Sequence, residues 1–186
     1  SGVYDMTIDG NYLYTANFGT ANFQIFDIST PSAPVAISTI SPTEVEEFTN
    51  PTRVEVSGKY AYLIGNSKIF VFDISKPATV NLVATADKTA FGSQGSDLYG
   101  QYLYITNNIQ VDVFNVGAVA PVQTDSLDFV HGTPQAVVAH RDYLYIADTT
   151  GLLSLYDIRN PANPFLMKRF NPAPDGNARP GVALSA

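Results

Sequence analysis

The sequence predicts an all-β chain, a β-propeller built of four-stranded antiparallel blades, and three observations carry that prediction. First, a Tyr-x-Tyr motif opens at Tyr12, Tyr60, Tyr102 and Tyr143, so successive copies stand 48, 42 and 41 residues apart. Second, an apolar segment keeps step with it and closes at Asp27, Asp73, Asn115 and Asp157, at intervals of 46, 42 and 42. Third, Gly, Asn, Ser and Pro punctuate short apolar runs, none of which holds a helical period. Eight of the 11 tyrosines fall at equivalent repeat positions, so the repeat is a packing unit. Four short strands every ~42 residues is the spacing of propeller blades.

Each element follows from its residues. A short apolar strand precedes every Tyr-x-Tyr strand: residues 3–8, 53–56, 96–98 and 136–139. The pairs Asp9-Gly10, Ser57-Gly58, Tyr99-Gly100 and His140-Arg141 join the two, and Gly in such a turn supplies the positive φ of a tight hairpin. Small and polar residues at 17–22, 65–68, 106–108 and 148–151 then make a second hairpin into the third strand. That strand ends at Asp27, Asp73, Asn115 or Asp157, side chains suited to accept backbone N–H groups just downstream in an Asx turn. Prolines such as Pro31, Pro34, Pro77, Pro161 and Pro164 stiffen the way to an outer strand, where a missing N–H is tolerated. Outer strands are expected at 35–40, 80–84, 122–125 and 165–169. The blades thus fall at 3–40, 52–86, 94–128 and 135–170, with 171–186 as a linker and the possible first strand of a fifth. A blade is covered on both sides by its neighbours, so Tyr12 and Tyr14 on one face and Leu13 on the other can all be buried. The tyrosine ring fills the gap between blades while its hydroxyl reaches the wet edge.

Composition narrows the function. The 186 residues are 45% apolar and 15% charged, enough for a sizeable core and well below the charge content of disordered chains. Ten basic against 17 acidic residues leave a net charge of −7, without the basic footprint of a nucleic-acid binder. No apolar run reaches the ~20 residues of a membrane-spanning helix. Cysteine is absent, which removes disulfides, thiol catalysis and Cys-ligated metals. Ser1 in place of an initiator Met is expected of a processed or cut N-terminus. There is no P-loop, G-x-G-x-x-G or G-x-S-x-G motif, and His131 and His140 alone exclude a three-His metal site within the chain. No catalytic residue, metal or cofactor is assigned.

The run from Tyr143 to Pro164, YLYIADTTGLLSLYDIRNPANP, resembles the LVIVD repeat. Residues 12–34 match nearly as well, including Phe26-Asp27-Ile28-Ser29, and the second copy keeps Phe72-Asp73-Ile74-Ser75 and Pro77. The third departs, with Asn115-Val116-Gly117 in place of Asp-Ile-Ser. The resemblance covers residues 3–170 and implies a propeller of bacterial or archaeal surface or secreted proteins, with no catalytic motif.

Pro180-Gly-Val-Ala-Leu-Ser185 is similar to the opening strand of the second repeat, so the chain carries one opening strand more than four blades need. Three arrangements follow: part of a larger propeller, a ring completed by two chains, or a closed four-bladed ring.

In propellers the loops entering each blade share a face with the turns between second and third strands. Here that surface combines 41–51, 87–96 and 125–134 with the turns at 17–22, 66, 107–108 and 148–150. Its candidate contact residues are the loop aromatics Phe18, Phe48, Phe91 and Phe129, the acidic run Glu44, Glu46 and Glu47, and His131. A loop Phe can instead cap the core beneath it, and the glutamates can be a solvated loop. Asp27, Asp73, Asn115 and Asp157 are structural turn residues. The expected function is non-enzymatic: an extracellular or cell-surface propeller for protein binding or assembly, its partner another protein, further copies of itself or remaining blades. The alternative is a small-ligand, glycan or hydrolase-type propeller with its site at the channel mouth.

Overall fold

The computed structural model describes residues 2–41, 48, 50–88, 92–129 and 132–172. These residues form sixteen strands and no helix: β1 (Val3–Asp9), β2 (Tyr12–Asn17), β3 (Asn22–Asp27), β4 (Val35–Ile40), β5 (Arg53–Ser57), β6 (Tyr60–Ile64), β7 (Lys68–Asp73), β8 (Asn81–Asp87), β9 (Gly95–Tyr99), β10 (Tyr102–Thr106), β11 (Gln110–Asn115), β12 (Val122–Asp128), β13 (Pro134–His140), β14 (Tyr143–Asp148), β15 (Leu153–Asp157) and β16 (Phe165–Phe170). They pair as four antiparallel meanders, β1–β4, β5–β8, β9–β12 and β13–β16, the expected four-stranded blades of a propeller. The chain divides into two compact units, Ser1–Thr89 with the first two blades and Ala90–Ala186 with the last two. The proposed fifth-blade strand lies outside the described residues.

The local chemistry repeats with the fold. The first hairpin of each blade puts one residue in the left-handed region: Gly10, Gly58, Gly100 and, without glycine, Arg141 at φ 54°. The paired turn residues sit one position later than the sequence pairs suggest, because Asp9, Ser57, Tyr99 and His140 still belong to their strands. Each third strand ends in the same cap. Asp27 accepts the Ser29 N–H at 2.8 Å, Asp73 that of Ser75 at 2.9 Å, Asn115 that of Gly117 at 2.8 Å and Asp157 that of Arg159 at 2.9 Å. The residue after each cap donates its N–H to the first hairpin: Ile28 to Asn11, Ile74 to Lys59, Val116 to Gln101 and Ile158 to Asp142, all at 2.8 Å. Two adjacent N–H groups therefore tie the turn to its blade. The fold also contains a repeated bulge that carries no motif. The register between third and fourth strands slips at Ile25/Phe26, Val71/Phe72, Val113/Phe114 and Leu155/Tyr156, leaving one extra residue on each outer strand. A bulge at a sheet edge raises the local twist and disturbs the row of free N–H and C=O groups there.

Strand alternation gives every blade two apolar faces. In the first unit Tyr14, Ala16, Phe23 and Ile25 of the first blade pack on Val54, Ala61, Leu63, Phe70, Phe72 and Ile74 of the second. In the second unit Tyr104, Val111 and Val113 pack on Val137, Ala139, Leu144, Ile146, Tyr156 and Ile158 in the same register. Within each unit the leading face of the earlier blade thus meets the trailing face of the later one. The two tyrosines of each motif part company. Tyr14, Tyr62 and Tyr104 are buried while Tyr12, Tyr60 and Tyr102 are half-buried. Against the expectation that the hydroxyl reaches the wet edge, the Tyr104 hydroxyl is buried with no partner among the described residues. Burial pushes the Tyr14 hydroxyl up to about 12 and raises that of Tyr104 as well.

Candidate binding surface

The turns between second and third strands are built on one position per blade. Asn17 donates to Asn22 and, at 3.0 Å, to Gln24. In the second blade Gly65 stands there, and its carbonyl takes the buried Lys88 ammonium at 3.0 Å. Asn107 accepts the N–H groups of Ile109 and Gln110, both at 3.0 Å, and donates to Asp112 at 3.1 Å. Asp148 accepts from the Thr150 N–H at 2.8 Å and hydroxyl, and from the Leu152 N–H at 3.2 Å. The sequence marks these segments as polar hairpin turns on the candidate surface without singling out the residue that organises each. The signal was available in the register, since Asn17, Gly65, Asn107 and Asp148 each follow their Tyr-x-Tyr motif at a fixed distance.

Two half-buried carboxylates join blades within a unit. Asp5 on β1 accepts the Val54 N–H of β5 at 2.9 Å, and Asp97 on β9 accepts the Ala139 N–H of β13. Desolvation raises both above the usual carboxylate range, against the pull of those N–H groups and, for Asp5, of the Arg53 charge. The cap carboxylates behave oppositely. The Ser29, Ser75 and Arg159 side chains, with the backbone N–H of each, hold Asp27, Asp73 and Asp157 below that range.

The contact candidates separate. Phe18 is exposed and lies 5.4 Å from the ring of Tyr4, which carries the Arg53 guanidinium 5.8 Å from its centroid. Phe48 is fully buried, edge-on to Phe70 and Phe72 at 5.1 and 5.9 Å, so it caps the first unit's core and offers no surface. Phe129 is half-buried on the second core beneath the Arg169 guanidinium, 5.5 Å away. Glu44, Glu46, Glu47, Phe91 and His131 lie outside the described residues. His140 is exposed at the end of β13. No group of three or more His, Asp or Glu able to hold a metal occurs among the described residues. No helix among them is long and apolar enough to cross a membrane.

The largest change of environment is on the trailing face of the first blade. Val3, Tyr4, Met6, Leu13, Phe26 and Pro34 line an open groove of about 680 Å³ there, with Asp5 and Thr15. Met6 is 64% and Ile8 63% exposed, whereas Val54 and Val137, at the position of Met6, are buried, as is Ala139, at that of Ile8. On the fourth blade the leading-face residues Tyr145, Leu153 and Leu155 are half-buried, where Tyr14, Phe23 and Ile25 of the first are buried.

The LVIVD repeat family matches residues 3–41, 50–88 and 131–172. The chain belongs to the LVIVD repeat family. The three matched LVIVD segments coincide with the blades that keep Asp-Ile at the cap, and the third blade forms its cap with Asn115 outside any match. A search of the curated proteins finds no match. Among solved structures, a putative 6-phosphogluconolactonase from Bacteroides uniformis is 20% identical with a TM-score of 0.76, over 91% of this chain and 55% of that one. The WD40 repeats of RRP9 are 15% identical with a TM-score of 0.70, over 88% and 50%. A computationally designed protein is 8% identical with a TM-score of 0.65, over 85% and 92%. The LVIVD chain therefore spans about half the length of the first two and nearly all of the third. These likenesses identify the propeller fold.

Proposed function

We propose that this chain is a non-catalytic binding and assembly propeller of the cell surface or extracellular space, engaging protein through the uncovered face of its first blade. The observation that carries the reading is the exposure of Met6 and Ile8, whose counterparts are buried at Val54, Val137 and Ala139 and half-buried at Val56. Covering such apolar area is worth about 25 cal/mol per Å² before the costs of association, and monomers rarely leave a large patch bare. The resemblance of the repeats to those of surface and secreted proteins supports the location.

The chain carries its own probe, because its two methionines are Met6 on that face and Met167 on the outer strand of the fourth blade, 64% and 52% exposed. Peroxide oxidation followed by mass spectrometry should modify both at similar rates in the dilute chain. In native surface material Met6 should oxidise several-fold more slowly than Met167. Equal oxidation there would overturn the reading.

A further inference from the structure

We propose that the partner on this face is a second copy of the chain, and that the fourth blade of one copy docks on the first blade of the other. The inference rests on the assembly reading above and names its occupant.

The two units supply the packing rule. In both, a leading face built on the second tyrosine of the motif and two third-strand apolar residues meets the trailing face of the following blade. The chain also presents both halves of one more such contact. Its first blade offers a trailing face of Met6, Ile8, Leu13 and Phe26, and its fourth a leading face of Tyr145, Leu153 and Leu155. Each half has the chemistry of the surface it would replace. Leu153 and Leu155 stand where Phe23 and Ile25 press on the second blade, and where Val111 and Val113 press on the fourth.

The two faces are different surfaces, so the contact is head-to-tail; it closes into a pair when a two-fold rotation brings both faces of each copy onto those of the other, giving two such contacts. The contact differs from those inside the units in one respect. Ala136 and Val138 stand on β13 where Asp5 and Asp97 send a carboxylate to the next blade, so the joint between copies is apolar and lacks that polar link.

Light scattering on the purified chain at tens of micromolar should give twice the 20.1 kDa of one chain. Met6→Lys, which places a charge on the trailing face, and Leu155→Lys, which does so on the leading face, should each give monomers with unchanged β-type circular dichroism. Mixing the two should restore a pair, because the intact trailing face of one variant meets the intact leading face of the other. If either lysine variant loses its β signature, Ile8→Glu and Tyr145→Ser address the same two faces. A monomeric wild-type chain, a pair insensitive to both substitutions, or variants that fail to complement each other would overturn the proposal. A purified monomer with Met6 protected in native material removes the second copy and leaves the assembly reading standing. Met6 unprotected in both removes both.

Discussion

The two units hide their blades from water by the same rule with different material. The first core is aromatic: Phe23 lies 5.4 Å from Phe72, and Phe48 reaches in from the linker between blades to cross Phe70 and Phe72. The second is aliphatic, with Val111, Val113, Leu144 and Ile146 around Tyr104 and Tyr156, and its linker aromatic Phe129 stays half-buried. The position of Phe70 holds Asp112 in the third blade, where the amides of Asn107, Gln110 and Gln123 serve its buried carboxylate. A buried charge supplied with donors substitutes for a ring, while an unsupplied one would be costly. The blade backbone therefore specifies a direction and a volume at each face, and at this position a carboxylate served by three amides takes the place of a ring.

That comparison can be broken at its most asymmetric point. Phe48→Ala should cost about 3–5 kcal/mol, the range for removing a buried phenyl ring, whereas Phe129→Ala should cost about 1 kcal/mol. Urea unfolding followed by fluorescence and circular dichroism measures both. Similar costs would mean that the two linkers contribute alike. The next effect concerns the one first hairpin made without glycine. Arg141→Gly removes a left-handed arginine and should stabilise the chain by about 1 kcal/mol, bringing the fourth blade to the chemistry of the other three. A loss of stability would show that the Arg141 side chain contributes more than its backbone costs.

The smallest effect is a dependence on pH. Asp5 and Asp97 are raised in the fold, so their protonation favours folding in full below the ordinary value of 3.8 and loses that contribution as pH rises through the raised value. Asp97→Asn should melt close to wild type at low pH, and the gap in its favour should open as pH rises. The gap should be narrower for Asp5→Asn, since Arg53 lies beside Asp5 and no cation acts on Asp97 in this way. The caps Asp27, Asp73 and Asp157 act in the opposite sense: their contribution is present above 3.8 and is lost as pH falls through their lowered values. Melting temperatures between pH 3 and 7 separate the two classes.

Much of the blade was legible because its signals are local. A hairpin glycine, a Tyr-x-Tyr strand and an Asp two residues ahead of the N–H it caps all act within a few positions, so periodicity in the sequence becomes periodicity in the fold. The third blade shows the strength of this, since Asn115 accepts the Gly117 N–H as an Asp would, although the family motif has lapsed there. The candidate surface was less legible. Phe18 and Phe48 look alike in sequence, both aromatics in loops outside the repeat, yet one is exposed against Tyr4 and the other closes a core.

By itself, then, the sequence determined the all-β class, the four-stranded repeat, the caps and the hairpins, because each depends on backbone conformations and hydrogen bonds between near neighbours. Only the tertiary structure decided which of two similar strands is covered. Val54 and Met6 occupy the same place in their blades and are both apolar, but one has a blade pressed against it and the other faces a groove. Burial belongs to a pair of surfaces, and the residues of one strand record only half of that pair.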